Sequence, residues 1–313
     1  MSRTCRWLAV CALCVAAAIP TRFASAAPPT LDAARAFGYL QKICRLGPRR
    51  SGSRGMSEQQ TLLAEHFSKL GAQVGYQSFD AADPLSGEPV RMSNLIVTWH
   101  PKAIDRVLIA CHYDTRPYPE NDRRNPRGLF VGANDGASGV ALLMELGNLM
   151  PGLRTSRGVD FVFFDGEELV VQSRGKYFLG STYFARQYHD APPAYKYSAG
   201  VLVDMVGDRE LDLFPEKTSL RLAPGVTRSI WATAKSLNVR EFHPTPRHEI
   251  SDDHVPLNEI AGIPTSDVID FDYPYWHTTL DVPNRCSGES LVKVGRVLLR
   301  WLTLPPDQQS PRP

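Results

Sequence analysis

Five short segments constrain the fold most strongly: Asn94–His100 (NLIVTWH), Asp105–Asp114 (DRVLIACHYD), Val159–Asp165 (VDFVFFD), Ala199–Gly207 (AGVLVDMVG) and Pro264–Phe271 (PTSDVIDF). Each is rich in β-branched and aromatic residues, and its apolar positions run on continuously instead of alternating. A strand that is apolar on both faces has to be covered on both faces. Helical patterns separate these runs at 138–150, 181–189, 226–237 and 289–302, and two more precede them at 31–47 and 56–71, divided by the loop PRRSGSRG. Strands alternating with helices predict an α/β three-layer sandwich, a central mixed, largely parallel twisted sheet flanked by helices. In such sheets functional residues gather beyond the carboxyl ends of the strands.

The remainder of the chain narrows the class. Its 313 residues contain no apolar run of membrane-spanning length past the amino terminus. The first residues combine Arg3 and Arg6, an apolar stretch from Trp7 to Ile19 and the small-x-small site Ala24-Ser25-Ala26, the pattern of a cleaved secretory leader over 1–26. The mature chain then starts at Ala27, and 27–313 is expected to form a single catalytic domain, secreted or periplasmic. Without Arg3, Arg6 and Arg22 the 35 basic residues fall to 32 against 33 acidic ones. A near-neutral mature protein gives no footing for nucleic acid, and neither stable membrane insertion nor an oligomer is expected. Cys44, Cys111 and Cys286 remain after the leader, allowing at most one intramolecular disulfide.

Metal-capable residues fall where the architecture collects function. His112 and Asp114 end one run, Glu167 and Glu168 follow another in FFDGEEL, Asp204 ends a third, Asp135 precedes a helix in GANDGASG, and His277 lies in DYPYWHTTLD beside Trp276. Buried carboxylates crowded on one rim need a cation. Zinc takes His nitrogen and Asp or Glu oxygen and keeps one position open for chemistry, which Asp135, Glu168 and His277 could provide. Glu167 would then be free to move protons. Singly, each residue has a plainer role: Asp135 as turn and helix N-cap, Asp114 as turn acceptor, His112 as core histidine, Trp276 as core edge. Only their joint occurrence in one α/β order favours a metal site.

HYD, GANDGASG, FFDGEE, FLGSTYFA, VLVDMVG and WHT together resemble the zinc aminopeptidase superfamily across nearly the whole mature chain. VGANDGASGVALLMEL, SDDHVPLNEIAGIPTSDVID and YWHTTLD resemble its bacterial glutaminyl cyclases, the glutaminyl-peptide cyclotransferases. The resemblance implies one Zn2+ per chain held by Asp135, Glu168 and His277, with Glu167 as general acid and base. It further implies Asp253 in the hydrogen-bond network around Glu167, Asp204 near it, and Trp276 in the substrate-pocket wall. The substrates so implied are peptides or proteins with an N-terminal glutamine, converted to pyroglutamate with release of ammonia. His112 and Asp204 match positions that hold a second zinc in the aminopeptidases, so a secreted two-zinc aminopeptidase is the alternative reading. Two departures stand out from the animal cyclases. Position 140 is Val where those enzymes complete a disulfide with the residue corresponding to Cys111, which leaves Cys111 a free buried thiol. The loop after Glu168 carries no tryptophan, so its share of the pocket wall is left unassigned. A scaffold that had lost its chemistry is disfavoured because no candidate ligand is substituted, and a serine hydrolase because no G-x-S-x-G elbow occurs. In HPTPRHEISDDH, His243 and His248 are expected near the pocket mouth and His254 as a supporting residue.

Overall fold

The computed structural model describes residues 30–309, so the proposed leader lies outside the described residues. In chain order the elements are α1 (Ala33–Cys44), α2 (Arg54–Lys69), β1 (Gln73–Ala82), β2 (Pro89–Trp99), β3 (Asp105–His112), α3 (Ala137–Gly147) and β4 (Gly158–Phe164). A two-stranded hairpin follows, β5 (Val170–Val171) and β6 (Arg174–Gly175), then α4 (Leu179–Asp190), β7 (Lys196–Asp204), α5 (Lys217–Leu222) and α6 (Pro224–Ser236). The last elements are α7 (His254–Glu259), β8 (Thr265–Ile269), α8 (Gly288–Leu302) and α9 (Pro306–Gln309). Helices begin where the sequence supplies caps: Asp32 accepts from Arg35 N at 2.8 Å and Ser53 from Met56 N at 3.2 Å.

Six strands form one sheet in the order β1-β2-β4-β3-β7-β8. The inner pairs β4–β3, β3–β7 and β7–β8 are parallel, whereas β1–β2 and β2–β4 are antiparallel. Continuous apolarity has the expected cause. Val107, Ile109 and Cys111 of β3 enter the larger core with α1, α3 and α8, while Leu108 and Ala110 enter a second core on the opposite face with Phe184 of α4 and Leu257 of α7. Each large apolar side chain buried in this way contributes about 1.5–3 kcal/mol. Helix α3 lies so close to the sheet that a Cβ at Gly139 would stand 2.7 Å from Cys111 Cβ and 2.9 Å from the Val203 carbonyl oxygen. Cys44, Cys111 and Cys286 are all free and buried, so no disulfide forms among them.

Strand β1 has no counterpart in the sequence reading. It is the sheet edge; of its ten residues only Phe79 is buried, so its apolar signal is weak. Strand β2 likewise starts at Pro89, before the apolar run at Asn94, because the β1–β2 ladder continues to Ala82 opposite Pro89.

Candidate metal centre and active site

Strands β3 and β4 run parallel and release their carboxyl ends side by side. After β4 the chain turns through Gly166 at φ 73°, where a Cβ would meet Met92 Sδ at 2.7 Å. The backbone N–H groups of Glu167 and Glu168 then donate to the two oxygens of Asp114, at 3.1 and 3.0 Å. Asp281 holds the loop before α3 in the same way, accepting from Asn134 N at 2.8 Å and Asp135 N at 3.1 Å, and from the Tyr273 hydroxyl at 2.8 Å. Asp165 ties the start of the DGEE turn to Ser51 Oγ (2.7 Å) and Ser93 N (2.9 Å). These three carboxylates are spent on backbone and hydroxyl groups, and their neighbours point inward. The capping alternative for Asp135 falls away, since the N-cap of α3 is Gly136 and no side chain caps that helix.

Asp135, Glu168 and His277 converge, their ligand atoms all within 4.8 Å of one another. His277 Nε2 lies 2.6 Å from Glu168 Oε1 and 3.4 Å from Asp135 Oδ2. Yet His277 Nε2 and Asp135 Oδ2 are buried with no hydrogen-bond partner. Buried polar atoms without partners are costly, and one nitrogen facing two carboxylate oxygens is the donor set zinc takes. The residues present fit that ion. His277 itself is held at φ 54°, and Met205 and Phe178, both on the cavity wall, also adopt left-handed backbone, at φ 47° and 58°. Such strain gathers where a surrounding structure enforces a site. A second possible set, His112, Asp135 and Asp204, shares Asp135; His112 Nε2 lies 3.2 Å from an oxygen of each carboxylate.

The adjacent glutamates have opposite electrostatics. Burial opposes ionisation of Glu168, but His277 and Arg116 outweigh it and bring its pKa down to about 2. Arg116 also donates its backbone N–H to Glu168 Oε2 at 3.1 Å and Nη1 to Oε1 at 3.3 Å. Glu167 is raised well above the usual carboxylate range, first by burial, with Glu168, Asp252 and Asp253 adding to it against the pull of His112. Asp135 rises to about 6, through burial and then the charge of Glu168. One glutamate is thus kept ionised and its neighbour is inclined to hold a proton, the separation that divides acid–base work between carboxylates.

A cavity of about 320 Å³ opens above these groups, with Asp135, Glu167, Glu168 and His277 on its lining. Trp276 stands against His277 with ring centroids 3.9 Å apart, and Phe271 lies 5.2 Å from Trp276. Residues 94–302 match peptidase family M28. The chain belongs to that family. The M28 chain is 41% identical to the glutaminyl cyclase of Fimbriiglobus ruber, covering 88% of this chain and 96% of that one with a TM-score of 0.84. Against a leucine aminopeptidase precursor from Bacteroides thetaiotaomicron the identity is 30%, with 89% and 99% covered and a TM-score of 0.83. A glutaminyl-peptide cyclotransferase-like protein of Bos taurus is 26% identical over 280 residues, 81% of this chain and 71% of the relative. The expected mixed, mostly parallel sheet flanked by helices is the architecture shared with these solved M28-like neighbours.

The M28 fold places the other candidates unevenly. Asp204 lines the cavity, accepting from Met205 N at 2.8 Å and facing His112 Nε2 at 3.2 Å. Asp253, expected in the network around Glu167, sits one residue deeper. It takes a hydrogen bond from Ser181 Oγ and is not part of the cavity wall, where Asp252 stands instead. Side chains of adjacent residues entering a helix point apart, so only one of the two acids can face the cavity. Tyr177 and Phe178 supply the wall after Glu168 that the sequence left open. His248 pairs with Asp272 at 3.1 Å, within 5.5 Å of the Phe271 ring at the cavity. His243 stacks on Phe214, pairs with Asp212 at 2.6 Å and does not line the cavity. His254 is buried between Glu216 and Asp267. Arg116 carried no signal of its own, since TRP reads as an ordinary turn; its role depends on Glu168, which lies 52 residues further along the chain.

Proposed function

We propose that this M28 enzyme is a zinc-dependent glutaminyl-peptide cyclotransferase, which converts the N-terminal glutamine of peptides or proteins to pyroglutamate and releases ammonia. The reading rests on one observation: a buried Asp135–Glu168–His277 donor set, in which His277 Nε2 and Asp135 Oδ2 have no hydrogen-bond partner, lies beside a buried, proton-retaining Glu167 in a small cavity walled by aromatic rings. Asp135, Glu168 and His277 would hold one zinc ion, which supplies Lewis-acid polarisation of the substrate's γ-carbonyl.

The chain's own residues do the rest. Trp276 offers a flat apolar wall for the glutamine side chain, and a cavity this narrow favours the folded conformer in which the α-amine meets the γ-carbon. As the new C–N bond forms, Glu167 accepts a proton from the α-amine and then donates it to the γ-amide nitrogen, whose bond to carbon breaks to give ammonia. A carboxyl raised by burial suits both halves of that transfer. Glu168, Asp252 and Asp253 crowd Glu167 with further carboxyl groups and so favour the protonated state from which ammonia leaves. Arg116 keeps Glu168 ionised and oriented.

The two-zinc aminopeptidase reading has the His112–Asp135–Asp204 set in its favour. Against it, His112 Nε2 already has a hydrogen-bond partner in Asp204, whereas His277 Nε2 of the first set has none. The test is paired: zinc per chain by elemental analysis, and ammonia release from glutaminyl peptides beside hydrolysis of leucyl arylamides. One zinc with ammonia release is expected, and two zincs with arylamide hydrolysis would replace this reading by the other. The proposed place of action is outside the cytoplasm, on exported chains with freshly cut N-termini; N-terminal sequencing of the protein isolated from its host should find Ala27 first, and an intact Met1 would refute cleavage of the leader.

A further inference from the structure

If glutamine occupies the floor of the cavity, the rest of the peptide has to leave across its mouth. Most of the lining is buried or half-buried; the exposed lining residues are Tyr177, Glu249, Ser251 and Phe271. Glu249 is the only charged residue among these four, and it makes no ion pair among the described residues. Its neighbours along the chain are engaged elsewhere: Arg247 pairs with Asp272 at 2.8 Å and His248 Nε2 lies 3.1 Å from the same carboxylate. Glu249 and Phe271 line the same cavity, so a free carboxylate and an exposed aromatic face both stand at its exit. Behind them the lining is acidic as well, with Asp204 and Asp252 on the wall. A carboxylate beside an aromatic face suits a guanidinium or ammonium group, which can pair with the one and lie over the other.

Resting on the cyclase reading above, we propose that Glu249 with Phe271 selects for a cationic side chain, arginine or lysine, at the residue that follows the N-terminal glutamine. The interaction sits at a wet rim, so its effect is modest and salt-dependent. An exposed pair gained against a like-charge contact avoided is expected to separate the two substrates by about 3- to 10-fold.

The test measures kcat/KM for ammonia release from three peptides differing only at the second residue, Gln-Arg, Gln-Ala and Gln-Glu, on the zinc-loaded enzyme. The Gln-Arg to Gln-Glu ratio is read within each variant, so a general loss of activity cancels. Wild type should prefer arginine, Glu249→Gln should bring the ratio close to one, and Glu249→Lys should reverse it. The wild-type preference should shrink between about 0.1 M and about 1 M salt, as the Debye length falls from ~10 to ~3 Å. Phe271→Leu should lower the arginine preference and leave part of the discrimination against glutamate. Cyclisation of Gln-Ala with equal ratios in wild type and both Glu249 variants would overturn this inference while sparing the cyclase reading. No ammonia from any of the three peptides would remove both.

Discussion

At the amino-terminal end of β3, Arg106 meets Asp160 of β4 through two bonds of 2.7 Å, and its remaining donors reach the carbonyls of Trp99, His100, Ala103 and Val159. The Tyr197 hydroxyl gives Asp160 a further bond at 2.7 Å. At the carboxyl-terminal end of the same two strands, His112, Asp114, Asp165, Glu167 and Glu168 are also buried, joined by Asp135, yet His112 Nδ1 and Asp135 Oδ2 lack partners and acid outnumbers base. Strand geometry is the same at both ends; only the charge balance differs. One end is closed electrostatically and serves the fold. On the proposed reading the other end is completed by a cation and a substrate, the arrangement expected where stability has been given up for function.

The largest effect that sharpens this contrast is on chemistry. Glu167→Gln removes the proton carrier and none of the three proposed zinc donors, so turnover should fall by about 10²- to 10⁴-fold while zinc content stays at the wild-type level. Full turnover in that variant would contradict the role. Next in size is the closed end: Asp160→Ala leaves Arg106 buried without its partner and should destabilise the fold by about 3–5 kcal/mol in urea titration. The same deletion of charge at the open end should act in the opposite direction. In the metal-free protein Asp135 has its pKa raised to about 6 from 3.8, so its favourable contribution is full below 3.8 and lost as pH rises through about 6. At pH ~8 metal-free Asp135→Asn should therefore be at least as stable as wild type; a clear destabilisation would break the comparison.

Zinc should reverse that order. At about 100 times its dissociation constant it should stabilise wild type by about 2.7 kcal/mol and leave Asp135→Asn nearly unmoved, as thermal melts with and without the ion would record. The effect spread over the widest pH range concerns His254, whose pKa burial lowers from 6.5 to about 3. Its contribution is present above 6.5 and is lost as pH falls toward 3, because the unfolded chain takes up the proton first. Stability should fall by up to ~1.4 kcal/mol per pH unit in that window, and His254→Gln should flatten the slope.

The buried strands were legible because each is apolar on two faces, and the ends of those strands pointed to the rim that carries the site. The edge strand β1 was not, since exposure on both sides leaves it without a pattern. Asp135, Glu168 and His277 could be singled out one by one as metal-capable residues on loops, and the fold brings them together. The supporting carboxylates were harder to identify. Asp114, Asp165 and Asp281 bind mainly backbone N–H groups far away in sequence, and nothing in their own neighbourhoods separates a clamp from a ligand. Asp252 and Asp253 are adjacent and chemically alike; only the entry into α7 decides which one faces the cavity.

The most direct test of the central claim, that the acid-rich strand ends form a one-zinc cyclase centre, is to add zinc back stepwise to metal-free protein while measuring ammonia release from a glutaminyl peptide. Activity should be absent at the start, rise linearly and stop rising at one zinc per chain. Full activity without metal, or a rise that continues to two zincs per chain, would contradict the account.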